Sequence, residues 1–188
     1  QTVVFPAKTM IAAAMNPCKC GFFPDLGKCR CTPTQIRRYL NRVSGPFLDR
    51  IDIGVEVPRQ DLGMMAAEKS IDEGSFPQTE QRNSSAVMRA RVMEARDRQE
   101  KRFADESISY NSQMTRRQIE EHCRLSGEDA VFLEKVERQQ GISARGHGKI
   151  LKVARTLADL DGQAEIGRTQ LAEAIGFRSF EKKYWGSL

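Results

Sequence analysis

Residues 143–161 read SARGHGKILKVARTLADLD, and this stretch decides how the helical part of the chain is organised. Its apolar residues recur at the spacing that places side chains on one side of an α-helix. They are Ile150, Leu151, Val153, Ala154, Leu157, Ala158 and Leu160. An apolar face this wide is typical of a helix at the centre of a bundle. The stretch therefore predicts a central helix with other helices packed around it.

Signals for further helices lie on both sides of this stretch. Residues 84–103 begin with two serines that can cap a long helix. Residues 115–118 (TRRQ) and 126–129 (SGED) match the capping-box pattern that opens a helix. A short helix is predicted over about 169–175. Residues 84–188 are therefore expected to form an all-α helical lid domain.

The first third of the chain has a different pattern. Residues 9–15 (TMIAAAM) and 51–57 (IDIGVEV) are short apolar runs, of the kind buried in a parallel sheet. Start signals at Thr32, Pro33 and Gln35 predict a helix between them, over 33–43, which Gly45 and Pro46 end. We predict an α/β remnant, a few parallel strands plus a helix, in residues 1–60, followed by a linker at 61–83. Two strands do not complete a sheet, so we expect the chain to be part of a longer protein.

Composition excludes some classes of protein. The chain has 188 residues, of which 39% are hydrophobic and 29% charged, as in soluble globular proteins. No apolar run approaches the roughly 20 residues needed to span a bilayer, and no signal peptide is recognisable. We therefore expect a cytoplasmic protein with no membrane partner. The net charge of +5 is compatible with a nucleic-acid partner but indicates one weakly, since acidic residues balance the basic ones locally.

Four of the five cysteines are clustered. Cys18, Cys20, Cys29 and Cys31 form two C-x-C pairs, and with no secretion signal this clustering favours a metal site over disulfides. Four thiolates suit a tetrahedral Zn²⁺ ion, and such a closed site is structural rather than catalytic. An iron–sulfur cluster or a reversible dithiol pair are the alternatives.

Several other residues have side chains that suit ligand or metal binding. Lys19 and Arg30 lie inside the two cysteine pairs, where they can offset the charge of the thiolates or contact phosphates. The sequence leaves both roles open. Cys123 is interpreted as a small buried hydrophobic residue. His122 and His147 are interpreted as surface or helix-packing residues because they are far from the cysteines in the sequence.

Several stretches closely resemble the ATPase module of the magnesium-chelatase-like (ComM/YifB) family of AAA+ proteins. They are 12–21 (AAAMNPCKCG), 29–33 (CRCTP), 44–52 (SGPFLDRID), 143–145 (SAR) and 150–160 (ILKVARTLADL). The resemblance covers nearly the whole chain and becomes weaker between about residues 59 and 83. It identifies the chain with the C-terminal part of that module.

The resemblance implies roles for particular residues. Asn16 corresponds to sensor 1, which orients the attacking water, although it is also a turn-former before Pro17. Arg50 corresponds to the arginine finger that reaches into a neighbouring subunit; the alternative is a local ion-pair cluster with the nearby aspartates. Arg145 corresponds to the sensor 2 arginine, with Arg155 as its rival. ATP and Mg²⁺ are the implied cofactors of the full-length protein, beside structural Zn²⁺.

The sequence departs from the family in lacking a G-x-x-x-x-G-K-[ST] motif and a Walker B strand. This polypeptide alone is therefore expected neither to bind ATP tightly nor to hydrolyse it. The resemblance implies a hexameric ring of identical subunits that acts on DNA, as a branch-migration helicase in natural transformation. The alternatives are a magnesium chelatase motor subunit, against which the cysteine loop speaks, and a zinc-stabilised helical binding module with no motor role.

Overall fold

Helices form every regular element in the computed structural model, which describes residues 2–5, 9–57 and 84–186. They are α1 (Pro33–Leu40), α2 (Gly45–Leu48), α3 (Ser85–Arg102), a 3₁₀ turn (Asn111–Gln113), α4 (Arg116–His122), α5 (Gly127–Gln140), α6 (Ala144–Leu160), α7 (Arg168–Gly176) and α8 (Ser179–Trp185). Within these ranges no helix is both long and apolar enough to cross a membrane.

Helix α6 is the centre of the larger core, as its apolar face predicts. Ile150, Ala154 and Ala158 are completely buried. The helix packs against α3, α4 and α7 and against the 3₁₀ turn. Cys123 is a buried member of the same core, which confirms its interpretation as a hydrophobic residue.

The predicted helix starts are confirmed by their capping hydrogen bonds. Thr32 and Gln35 form a capping box at α1, and Thr115 and Gln118 form one at α4. Ser126 accepts a hydrogen bond from the backbone N–H of Asp129 at 3.1 Å. Each cap satisfies a backbone donor that the first helical turn leaves without a partner.

The predicted α/β remnant is wrong, because the described residues contain no β-strand. Residues 9–15 are exposed, with Met10 93% accessible. Residues 51–57 use backbone groups to contact the C-terminal helices instead of a sheet. The Gly54 N–H donates to the carbonyl of Phe177 at 2.9 Å, and Arg178 Nη1 donates to the carbonyl of Ile51 at 2.9 Å. An apolar run cannot become a buried strand where no neighbouring strand pairs with it.

Two short helices were missed by the sequence pattern. Gly45 and Pro46 were expected to end a helix, but they begin α2, capped by the side chain of Ser44. Helix α1 ends at Leu40 rather than at Val43. Helix α8 lies beyond the last predicted helix and carries Phe180, Tyr184 and Trp185.

A second core joins the two ends of the chain. It consists of Cys18, Ile36, Leu40 and Tyr184, surrounded by partly buried cysteines and aromatic residues. Next to it, Glu56 accepts hydrogen bonds from Tyr184 and from Lys183, whose Nζ lies 2.7 Å from both carboxylate oxygens. Helix α8 thus holds the cysteine-bearing segment against the helical part of the chain.

The helical core also contains a buried polar network around Asp159, whose side chain is fully inaccessible. Arg102 Nη1 and Asn111 Nδ2 each donate to Asp159 Oδ2 at 2.8 Å. Arg155 Nη2 lies 3.1 Å from Asp159 Oδ1. The network pairs the buried charges and so offsets the cost of removing them from water.

Candidate metal centre

The loop of residues 18–31 folds back on itself through a series of tight turns. Gly21 has a φ of 77°, a conformation that favours glycine, and its N–H donates to the carbonyl of Cys18 at 3.1 Å. The Cys29 N–H donates to the carbonyl of Asp25 at 2.8 Å. Asp25 Oδ1 also accepts from the N–H of Gly27 at 3.0 Å. These turns return the second cysteine pair to the first.

The four sulfur atoms of the loop converge. Sγ of Cys18 lies 3.4 Å from that of Cys20 and 3.8 Å from that of Cys29, and Cys20 and Cys29 are 3.6 Å apart. With Cys31 included, all four lie within 4.8 Å of one another. Tetrahedral coordination with Zn–S bonds of about 2.3 Å places sulfur atoms about 3.8 Å apart. The four thiols therefore fit a single tetrahedral ion, as the spacing of the two pairs predicts.

Proton affinity differs sharply among these thiols. The backbone N–H groups of Phe22 and Arg30 lower the pKa of Cys20 to about 6. Although the backbone N–H of Cys31 acts to lower it, the pKa of Cys29 is raised to about 12 by desolvation and by the thiols of Cys20 and Cys18. Four thiolates this close repel one another unless a cation lies among them. The chemistry of the sulfur set thus agrees with its geometry in favouring a bound metal cation.

Aromatic residues of α8 cover the metal loop. Tyr184 is buried with Cys18, and the rings of Phe23 and Tyr184 make an edge contact with centroids 6.0 Å apart. Trp185 packs edge-on against Tyr184, with centroids 6.2 Å apart. The sequence pattern did not predict that aromatic residues of α8 cover the metal loop. The spacing of Phe180 and Tyr184, one helical turn apart, is the signal that could have revealed it.

Two of the residues to which the family resemblance gives a role, Asn16 and Arg50, lie on the surface. Asn16 is exposed just before the metal loop. Arg50 is exposed beyond the end of α2, and its Nη1 donates to the carbonyl of Pro46 at 2.6 Å. The aspartates beside Arg50 pair elsewhere: Asp49 with Arg145 at 3.2 Å, and Asp52 with Lys149 at 3.0 Å. The local ion-pair cluster considered for Arg50 is therefore not formed among these residues.

Arg145 and Arg155 occupy different environments on α6. Arg145 lies in the first turn with 65% of its side chain exposed, and it pairs with Asp49, the residue before Arg50. Arg155 is 2% accessible and donates to the carbonyls of Ala164 at 2.8 Å and Gln163 at 2.7 Å. The structure thus brings Arg145 to the Arg50 segment and places Arg155 in the bundle core. Asn16 has no described hydrogen bond or ion pair with either Arg50 or Arg145.

Two family models match this chain. Residues 1–65 match the family described as magnesium chelatase, subunit ChlI, and residues 82–178 match the family described as magnesium chelatase, subunit ChlI C-terminal. The competence protein ComM of Haemophilus influenzae is 40% identical over 178 residues, which are 94% of this chain and 32% of that protein.

Two further relatives match over a similar share of this chain and of their own length. The uncharacterized protein YifB of Escherichia coli is 39% identical over 180 residues, covering 96% of this chain and 33% of its own length. The uncharacterized protein Rv2897c of Mycobacterium tuberculosis is 30% identical over 174 residues, covering 93% and 32%. The chain spans about a third of the length of the curated relatives it matches. The chain belongs to the magnesium-chelatase-like family, in its ComM/YifB group.

Proposed function

We propose that this chain is the nucleotide-sensing and lid portion of an ATP-driven AAA+ motor whose identical subunits form a ring. Membership of the magnesium-chelatase-like family supports the motor assignment. Bound ATP with Mg²⁺ would supply the phosphoryl group and the charge that this chain's residues sense. Zn²⁺ in the cysteine loop has a structural role in this proposal.

The exposure of Arg50 is the observation that carries the proposal. Both neighbouring aspartates are paired with residues of α6, so neither neutralises the Arg50 guanidinium. The hydrogen bond from Arg50 to the carbonyl of Pro46 is a local one, between residues four positions apart. Rotation of the Arg50 side chain breaks it. A surface guanidinium of this kind can reach the γ-phosphate of a neighbouring subunit and stabilise its developing charge.

Arg145 acts in the same subunit as the bound nucleotide. It projects from the first turn of α6 and shares Asp49 with Ser143, whose hydroxyl lies 3.4 Å from Asp49 Oδ1. A guanidinium in this position can exchange a carboxylate partner for phosphate oxygens, which offer the same bidentate geometry. In this mechanism α6 moves with the nucleotide, and the Arg145–Asp49 pair opens when ATP binds.

We further propose that the motor acts on DNA as a branch-migration helicase. The relative from Haemophilus influenzae is named a competence protein, which supports a role in transformation. The cysteine loop favours this branch of the family over a magnesium chelatase motor. A zinc-stabilised binding module without motor activity is the competing function from another class.

A subunit-mixing experiment with the full-length protein tests the proposal. Arg50→Ala and Asn16→Ala should each lower the rate of ATP hydrolysis. For Arg50→Ala, which removes the proposed arginine finger, the decrease should be roughly 10³-fold. In the proposal each ATP site takes Asn16 from one subunit and Arg50 from the neighbouring subunit. A ring that mixes the two variants therefore contains some sites in which both residues are intact. An equal mixture should regain about a quarter of the wild-type rate. Arg138→Ala, at an exposed arginine of α5, is the matched control and should leave the rate unchanged.

The outcomes separate the competing functions. No recovery on mixing would show that Arg50 and Asn16 do not act across one subunit boundary, and the finger assignment would fail. ATP hydrolysis unaffected by either substitution would favour the binding module. Branch migration of a synthetic four-way DNA junction, dependent on ATP and abolished by Arg50→Ala, tests the DNA substrate separately.

A further inference from the structure

Helix α1 and the metal loop beside it carry a concentration of positive charge without ion-pair partners. Residues 26–48 contain five Lys or Arg and no Asp or Glu. Arg30, Arg37, Arg38 and Arg42 are exposed, as is Lys19 in the metal loop. Within the described ranges neither Lys19 nor any of these four arginines belongs to an ion pair. Lys28, in contrast, lies 3.9 Å from Asp25. By contrast, Arg116 and Arg138, two exposed arginines of the helical part, are each paired with a glutamate one helical turn away.

Part of this charge surrounds a depression in the surface. The depression has a volume of about 290 Å³ and is lined by Lys19, Gln35, Arg38, Tyr39 and Arg42. Gln35, Arg38, Tyr39 and Arg42 follow the i, i+3, i+4, i+7 pattern and so share one face of α1 and its C-terminal extension. Tyr39 is partly buried against the core that contains Cys18, and it also lines the depression.

The metal loop positions this face. Ile36 and Leu40, on the opposite side of α1, are buried against Cys18. Lys19 lies between two of the clustered cysteines, so the turn that brings their sulfurs together also fixes Lys19 beside α1. Arginines on one helical face and a lysine on an ordered loop form a binding surface that is largely preorganised.

We infer that this surface, the α1 groove (Lys19, Gln35, Arg38, Tyr39 and Arg42), binds the backbone of single-stranded nucleic acid. Arg38, Arg42 and Lys19 contact phosphates, and Tyr39 stacks on a base. A basic groove with an accessible aromatic ring is the usual means of binding a single strand without sequence preference. The depression is close to the lower limit of roughly 300 Å³ for small-ligand pockets, which suits one nucleotide better than a duplex. The inference rests on the proposed action on DNA and locates its contact surface.

Fluorescence anisotropy with the full 188-residue chain and a labelled oligothymidylate tests the inference. Arg38→Gln with Arg42→Gln removes two charges from the α1 groove. Arg116→Gln with Arg138→Gln removes two exposed charges elsewhere and is the charge-matched control. The α1 variant should bind roughly 10-fold or more weakly, and the slope of log K against log salt should fall by about 1.4. The control should bind like the wild type.

Tyr39 provides a second, uncharged readout. Tyr39→Phe keeps a ring for stacking and should retain binding, whereas Tyr39→Leu should weaken it several-fold. Metal content equal to that of the wild type shows that the loop remains folded in each variant. A duplex of the same sequence should bind more weakly than the single strand; tighter duplex binding would overturn the assignment to a single strand.

The remaining outcomes distinguish this site from the wider proposal. If the chain binds single-stranded DNA but the α1 substitutions weaken it no more than the control pair does, the α1 groove is wrong and DNA remains the substrate. If the wild-type chain binds no single strand, the inference fails, while ATP hydrolysis in the mixed rings still tests the motor assignment.

Discussion

The indole N–H of Trp185 donates to the backbone carbonyl of Leu40 at 3.0 Å, across 145 residues of sequence. Leu40 is buried against the metal loop, so this hydrogen bond fastens the last helix to the segment that carries the four clustered cysteines. Trp185 is the single tryptophan of the chain. Its fluorescence therefore reports on the contact between α8 and the metal loop.

Chelation of the bound metal is expected to shift the emission of Trp185 to longer wavelength. Without the cation the four thiols lose the interaction that orders the loop, and the Trp185 ring becomes more accessible to water. Emission spectra and acrylamide quenching, recorded during a chelator titration, measure the change. Trp185→Phe should retain the metal, since the tryptophan does not bind it. Emission unchanged after complete metal removal would contradict this coupling.

Thiol reactivity should divide the cysteines into two classes. Chelation is expected to release four reactive thiols, those of the metal loop. Without the cation the loop opens, and desolvation and the thiols of Cys20 and Cys18 no longer raise the pKa of Cys29. Cys123 should stay unreactive until the protein unfolds, because burial raises its pKa to about 11. Near pH 8 its thiolate fraction is roughly 10²-fold lower than that of an ordinary cysteine.

Counting thiols with Ellman's reagent, before chelation, after chelation and in denaturant, measures both classes. Cys123→Ala is the matched variant and should remove the last class while leaving metal content unchanged. Fast reaction of a fifth thiol in the folded protein would show that Cys123 is not part of the core.

Arg145 and Arg155 should differ strongly in their effect on stability. Arg155→Ala removes a cation from a buried pair with Asp159 and should lower the free energy of unfolding by about 3 to 5 kcal/mol. Arg145→Ala removes an exposed ion pair and should cost less than about 1 kcal/mol. Urea unfolding followed by circular dichroism measures both. Similar losses for the two variants would contradict the assignment of Arg155 to the core and Arg145 to the surface.

Stability should decrease in acid partly through Asp129. Arg168, and after it the Ser126 hydroxyl, hold the pKa of Asp129 below its ordinary value of 3.8. Because the folded-state pKa is the lower one, the stabilisation is complete above about pH 4 to 5 and is lost as pH falls through the folded-state value. Asp129→Asn should therefore flatten the acid side of the stability profile.

Glu128→Gln is the matched control for this profile, since Glu128 is an exposed neighbour in the same helical turn. Thermal unfolding between about pH 3 and pH 7 compares the variants with the wild type. An acid slope that is the same with Asn as with Asp at position 129 would contradict the role of the Arg168 pair.

Gly54→Ala should loosen the contact between residues 51–57 and α8. A Cβ at position 54 would overlap the ring of Phe180, whereas a Cβ at Gly45 meets no atom within 4 Å. We expect Gly54→Ala to destabilise the protein by about 1 to 3 kcal/mol, as overpacked sites do. Gly45→Ala, the control, should be neutral or slightly stabilising. Chemical denaturation measures both, and equal stability of the two variants would refute the close approach.

The sequence and the structure agree where local chemistry determines the result. The capping box at Thr32 and the apolar face of α6 specify helices through neighbouring residues, and both were predicted. Residues 9–15 and 51–57 were predicted as strands because apolar runs suit a sheet. Whether a strand forms depends on partners elsewhere in the chain, which a local pattern does not contain.

Distant pairings were also beyond a local pattern. The cysteine spacing predicted a metal loop, but nothing near it indicates that Tyr184 and Trp185 cover it. The different environments of Arg145 and Arg155 likewise depend on their ion-pair partners. These are Asp49 and Asp159, which lie in two separate parts of the fold. Such contacts are set by tertiary packing and become visible only in three dimensions.

The long separation between the metal loop and Trp185 has a consequence for biosynthesis. The loop leaves the ribosome well before α8, because about 145 residues must be translated between Leu40 and Trp185. At typical elongation rates this takes roughly 10 to 30 s. During that interval the nascent cysteines are open to solvent, so metal acquisition can precede their enclosure, and oxidants compete for the same thiols until the aromatic helix is made.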